Sequence, residues 1–366
     1  MTAQPSNRLN LIQLSRALVP LMVMTFHLSE SIYGYYEFSF MSLHELPISG
    51  GVNFFFALSG FMMFYLYKDK LTKRSEWKPF ILNRAIRIYP LYWIITINYL
   101  LFWFFFHENI WGNSAFDTQS MITSIFLIPV PNQSDPYLIV AWSLVFTVFF
   151  YLMFSFSFLL SRQKIIIFYS IWAFLSIAFY SGMIDLNVFP IHFIFSLSSL
   201  IFMAGMLAGF IVSRSLLNIK TSMLLIAAGI LMFPFTWVNY LHDWFYVDFD
   251  FSTGLASFLL IIGLASIDIQ VKLQLPAFLN MLGNAAFSIY LFHNTVLDLT
   301  MEYFYQLGFY NTIGAPGIMM LIFIIMILSG VLVYHFMEKP LVKILRLFLT
   351  RSYKRTTHLP PEPKTA

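Results

Sequence analysis

PGIMMLIFIIMILSGVLVYHFMEK, residues 316–339, decides the class of this protein. From Pro316 to Met337 no Asp, Glu, Lys or Arg interrupts the run, and about 20 mainly apolar helical residues cross the hydrocarbon of a bilayer. Basic residues gather directly behind it, at Lys339, Lys343 and Arg346. Cutting the chain at its other polar clusters leaves nine more such runs, at 11–29, 50–67, 88–106, 138–160, 165–181, 191–213, 221–240, 254–270 and 284–304. The 366 residues are 59% hydrophobic and 10% charged, against roughly 25% charged in a soluble domain. The expected fold is all-α and polytopic, with about ten transmembrane helices. Residues 1–350 are expected to form a single integral-membrane domain. A tail over 351–366, with Pro360, Pro361 and Pro363, is expected to be disordered and cytoplasmic.

The distribution of charge tests that count, because Lys and Arg concentrate in cytoplasmic loops. All 21 basic residues fall at a terminus or after an even-numbered span. Arg8 and Arg16 open the chain, and a cluster from Lys68 to Arg87 follows the second span. Arg162 and Lys164 follow the fourth, Arg214 and Lys220 the sixth, Lys272 the eighth, and the rest follow the tenth. The odd-numbered loops carry acids instead, among them Glu30, Glu45, Glu108, Asp117, Asp185 and Asp248. Both termini are thereby expected in the cytoplasm, and the setting is a multi-pass protein of the plasma membrane. No small-residue cleavage site follows the first run, so that span is expected to be retained.

Several chemistries drop out. The chain has no Cys, which excludes thiolate nucleophiles and Cys-ligated metals. Phosphate-binding P-loops, dinucleotide fingerprints and the nucleophile elbow are not evident. Basic residues flank the membrane only, so nucleic acid is not an expected partner. His335 and Glu338, three apart on one helical face, are too few for a metal site, and no metal or bound cofactor is expected. Asp248 and Asp250 read as a solvated face, and Gly205 and Gly209 as a small-residue packing pair.

What remains is a short set of polar groups within or beside the spans, where charge is costly and each such residue is a functional hypothesis. Arg16 and His27 stand eleven residues apart on the first span, about 16 Å along its axis and about 20° around it. They share a face. Read alone, Arg16 is equally a snorkelling anchor and His27 a histidine satisfied by a neighbour; as a functional pair, His27 can act as a general base near neutral pH. Arg84 and Arg87 in RAIRIYP (84–90) are neighbours on a helix entering the membrane. Their forks suit either lipid headgroups or the phosphates of a cytosolic donor. GVNFFFALSGF (51–61), which carries Asn53 and Ser59, has glycines flanking an aromatic run and taken alone reads as packing; WSL (142–144) carries Trp142, and Phe150-Tyr151 the phenol of Tyr151. SIYLFH (288–293) contributes Tyr290 and His293, and EKP (338–340) Glu338, which can pair with a basic neighbour.

Taken in order over about 10–340, these segments resemble the integral-membrane acyltransferase family 3, whose members O-acylate bacterial surface polysaccharides and other carbohydrates. The resemblance implies transfer of an acyl group, expected to be acetyl, from cytosolic acyl-CoA to a sugar hydroxyl at or beyond the outer face. It implies His27 as the catalytic histidine and Arg16 as its companion. It implies Arg84 and Arg87 as contacts for donor phosphates, with Asn53, Ser59, Trp142, Tyr151, Tyr290, His293 and Glu338 lining the site. Two positions depart from the family. A Glu is usual where Thr147 stands in WSLVFTVFFY, and an Asp is common at Asn53; an acid that could orient a partner or shape the acceptor site is missing at Thr147. The expected partners are acyl-CoA, a carbohydrate acceptor and the lipid bilayer. A transporter of a glycan or its lipid carrier, or a nonenzymatic assembly partner, would use the same polar residues without chemistry; the lack of internal repeats weighs against the transporter.

Overall fold

The structure is a computed structural model and describes residues 9–106, 118–131, 135–186, 188–271 and 273–357. Arg8, Glu108, Asp117, Lys272, Lys364 and the prolines from Pro360 onward lie outside the described residues. Among those described, every regular element is helical and there is no strand. The order is α1 (Asn10–Tyr36), α2 (Gly51–Tyr67), α3 (Trp77–Phe106), α4 (Thr118–Phe126), α5 (Trp142–Ser155), α6 (Arg162–Tyr180) and the short α7 (Ile191–Ile194). It continues with α8 (Leu197–Arg214), α9 (Ile219–His242), α10 (Phe249–Gln270), α11 (Ala277–Gln306), α12 (Tyr310–Val333) and α13 (Lys339–Thr357).

Each of the ten predicted runs overlaps at least one of these helices, and the run at 191–213 is divided between α7 and α8. By length and composition, seven stretches among the described residues are apolar enough to cross a membrane. The 17-residue α2 is short for this, and the 30-residue α3 and α11 are not among the seven. Their outward side chains fit the bilayer reading. Ile166, Ile167 and Phe174 on α6, Leu224 and Leu231 on α9, and Leu328 and Leu332 on α12 are all exposed, as side chains solvated by lipid would be. This is a multi-pass helical membrane protein. α13 continues to Thr357, well into the segment expected as a tail.

Side-chain bonds between helices fix their directions. Gln13 reaches Asn284 near the start of α11, and Tyr35 reaches Glu302 near its end, so α1 and α11 run parallel. Asp268, near the end of α10, accepts the backbone N–H groups of Leu11 and Ile12 at 2.8 and 3.0 Å. It thereby caps two of the donors that the first turn of any helix leaves unpaired, and sets α10 antiparallel to α1. Asn53 bonds Asp250 and Thr253, and Lys68 bonds Ser213, so α2 runs with α10 and α8. The starts of α1 and α11 and the ends of α2, α8 and α10 therefore share one end of the bundle, the one that collects Arg16, Lys68 and Arg214.

Two glycines allow the closest approach in the core. A Cβ on Gly60 of α2 would lie 1.9 Å from the Phe202 carbonyl oxygen, and one on Gly205 of α8 would lie 1.8 Å from that of Ala57. Backbone thus meets backbone, and a slab of Phe56, Phe61, Phe150, Phe154 and Phe202 packs around the seam. A second apolar layer joins Met24 and Leu28 of α1 to Ile289 of α11 and Ile322 of α12. α12 ends in a π-helical turn, Tyr334–Glu338, whose closing N–H, from Lys339, reaches the Tyr334 carbonyl. Such turns shift side-chain phase. Glu338 is buried here while His335 is exposed, so the two do not share a face as their three-residue spacing predicts.

Candidate functional site

Two groups of polar residues meet inside the bundle. The first lines a cavity of about 410 Å³ along α2. Its α2 wall runs from Leu66 to Val52, fourteen residues or about 21 Å of helix, against about 30 Å of hydrocarbon in a bilayer. At the basic end it is lined by Arg16, Arg84, Arg87 and Arg346. Toward the far end stand Phe55, Ser143 and Tyr290.

Each arginine is held differently. Arg16, on the second turn of α1, donates to Gln13 Oε1 at 3.1 Å and lies within electrostatic range of Arg87 and Glu338. Arg84 donates to the Tyr67 hydroxyl at 3.2 Å. Its guanidinium carbon sits 5.4–5.6 Å from the ring centres of Tyr151, Phe80 and Tyr67, so cation–π attraction holds it among aromatic faces. Arg87, one turn deeper, stands 3.6 Å from Glu338. Only 2% of Glu338 is exposed, and its second oxygen accepts from Ser288 at 2.6 Å. A buried carboxylate needs such partners, and the π turn is what aims it inward. Four guanidinium groups line the cavity and only Arg87 is paired with the buried Glu338 carboxylate, so the cavity is cationic, which suits an anionic ligand.

The second group is a pair of imidazoles on the outer half of α1 and the middle of α11. The His27 and His293 ring centroids are 5.3 Å apart. His293 Nδ1 lies 2.6 Å from the Tyr290 carbonyl oxygen, and a carbonyl only accepts, so Nδ1 is the donor in that bond and Nε2 is the ring nitrogen left over. That Nε2 is buried with no partner among the described residues, a costly state for a polar atom. The His27 side chain is 39% exposed, with Nδ1 3.9 Å from Glu30. It is reachable from outside the bundle.

Tyr290 joins the two groups. Its ring forms the far wall of the cavity and lies 5.8 Å, centroid to centroid, from His293 and 6.0 Å from Phe55. Its hydroxyl is fixed by Ser143 at 2.8 Å and the Val140 carbonyl at 3.0 Å. Neither imidazole is among the residues lining the cavity. His293 stands against the Tyr290 ring of the cavity wall, and His27 against His293.

Of the residues expected at the site, Arg16, Ser59, Arg84, Arg87, Tyr151 and Tyr290 line the cavity. Glu338 supports it through Arg87, and His27 and His293 lie beyond Tyr290. Asn53 and Trp142 are elsewhere. Asn53 is buried and donates to Asp250 Oδ1 at 2.8 Å and Thr253 at 2.9 Å. Asp250 is therefore tied into the bundle and not merely solvated, while Asp248 caps α10 through the Phe251 N–H. Trp142 packs edge-on against Phe56 and Phe146. Its neighbour Ser143 reaches the cavity instead, as does Thr147, which donates to the Ser143 carbonyl at 2.9 Å. Arg346, Asn284 and Tyr334 also line the cavity without having been singled out from the sequence. Among the described residues no group of three or more metal-ligating side chains occurs.

The molecule is thus a polytopic helical bundle with a cationic cavity ending near a histidine pair. Residues 10–335 match the family described as an acyltransferase domain, and the chain belongs to that family. It is also similar to the exopolysaccharide production protein ExoZ of Rhizobium meliloti (strain 1021), at 25% identity over 319 residues, covering 82% of this chain and 92% of that protein. No solved structure matches.

Proposed function

We propose that this membrane acyltransferase moves an acyl group, acetyl in the simplest case, from cytosolic acyl-CoA to a hydroxyl of a cell-surface glycan or its lipid-linked precursor. The observation that carries this reading is the cavity of about 410 Å³ that runs from four arginines to the Tyr290 wall beside His27 and His293. Its cationic end suits the phosphates of CoA, and its length of about 21 Å suits an extended arm carrying a thioester inward. The similarity to an exopolysaccharide production protein supports a polysaccharide acceptor. The charge map supports a plasma-membrane protein with its basic end in the cytoplasm.

In the direct route, His27 takes the proton of the acceptor hydroxyl as that oxygen attacks the thioester carbonyl. The C–S bond breaks, and the departing CoA thiolate receives the proton from the imidazolium. In a two-step route the imidazole nitrogen attacks first and the thiolate leaves; the hydroxyl then displaces the acyl group from the histidine, and the proton it gives up balances the one the thiolate takes up to become the thiol. Both routes yield an ester and the CoA thiol, and in both the acyl group passes the ring of Tyr290. Labelled acetyl-CoA supplied to inverted membrane vesicles tests the proposal. Covalent label on carbohydrate supports it; glycan movement without transfer would replace it with the transporter.

A further inference from the structure

We infer that Arg346, on the helix that follows the last span, holds the 3′-phosphate of the CoA donor at the mouth of the cavity, an assignment that rests on the acyl-CoA reading above. The ligand chemistry sets the order. CoA presents its thioester at one end, then an uncharged pantetheine arm, then a diphosphate, and last a phosphomonoester on the ribose. If the thioester reaches the far wall, the charged groups trail toward the basic end in that sequence.

The cavity's cations are ranked along the same axis. Arg87 is level with Glu338, its ion-pair partner. Arg84 is one turn nearer the basic end, about 4.5 Å along α3, with its guanidinium among Tyr67, Phe80 and Tyr151. Arg346 lies eight residues past Glu338, about 12 Å further along the chain's helical path, and still lines the cavity. It is exposed, as a mouth residue should be. The two arginines of α3 match a diphosphate, and the third phosphate needs a further cation outside them.

The geometry of α13 keeps that cation in place. The helix packs against α3, and Ile344, Leu347 and Phe348 are exposed. α13 continues the last span through the π turn without a break, so this packing holds Arg346 at the basic end of the cavity.

The test is calorimetric titration of the full-length detergent-solubilised protein with CoA and with 3′-dephospho-CoA. The wild type is expected to prefer CoA by about tenfold or more, the usual scale of a charge-assisted contact. Arg346→Ala is expected to abolish that preference by weakening CoA alone, with dephospho-CoA binding retained as proof of folding, and Arg346→Lys to restore part of it. Equal loss for both ligands, or no change, would assign Arg346 to lipid headgroups and overturn the proposal. A wild type that binds both ligands equally overturns this assignment alone, whereas one that binds neither overturns the acyl-CoA reading itself.

Discussion

The imidazoles of His27 and His293 stand 5.3 Å apart, ring centre to ring centre, with their planes 38° from parallel. They come from helices that run in the same direction yet are separated by 266 positions in the chain. One ring is partly open to the exterior and the other is buried with an unpartnered nitrogen. An acceptor hydroxyl approaching from outside would meet His27 first.

His27→Ala should therefore abolish transfer without affecting membrane insertion. His293→Ala should lower kcat by about 10²-fold, toward the lower end of what acid–base groups contribute, and leave the donor KM unchanged because the cavity is intact. Glycan acylation assays on membranes carrying equal amounts of each variant decide this. Normal acylation by the His27 variant would remove that residue from the mechanism.

Arg84→Ala should raise the apparent KM for the acyl donor more than that for the acceptor. On the proposed reading the variant loses a contact to the donor phosphates together with the cation held among three aromatic rings. Initial-rate measurements with each substrate varied in turn give the comparison, and equal effects would argue against donor binding.

Phe55→Ala should widen the passage beside Tyr290, since the two rings lie 6.0 Å apart at the far end of the cavity. The rate with butyryl-CoA, relative to acetyl-CoA, is expected to rise several-fold over wild type. An unchanged ratio would mean that the acyl group takes another path.

Gly205→Ala should destabilise the bundle, because its Cβ would meet the Ala57 carbonyl at 1.8 Å and backbone cannot rotate away as a side chain can. Overpacking of this kind costs about 1–3 kcal/mol, so the thermal midpoint in detergent should fall. Gly34→Ala is the control: nothing lies within 4 Å of its Cβ, and Ala is the better helix former.

The bilayer fold was legible because its signal is additive along each span: apolar runs of the right length, and basic residues confined to alternate connections. The Arg84 and Arg87 pair was legible for the same local reason, two forks three residues apart on one helix. Contacts between distant helices were not. Arg16 and His27 share a face, yet Arg16 lines the cavity and His27 lies beyond its end, because Tyr290 from α11 closes the space between them. Arg346 gave no sequence signal among seven basic residues after the last span; only the π turn at Tyr334–Glu338 and the packing of α13 against α3 single it out. Asn53 was read against an acid common in relatives, whereas the acid it touches is Asp250, which α10 supplies.

The capping of α1 by Asp268 carries a consequence for biosynthesis. The helix bearing Arg16 and His27 leaves the ribosome well before the carboxylate that completes its first turn, which is 257 residues downstream. At about 5–20 residues per second, α1 waits roughly 13 to 50 s for that partner. Throughout that interval its opening amides depend on water or lipid headgroups, so the seating of α1 against α10 is completed only once α10 has been made.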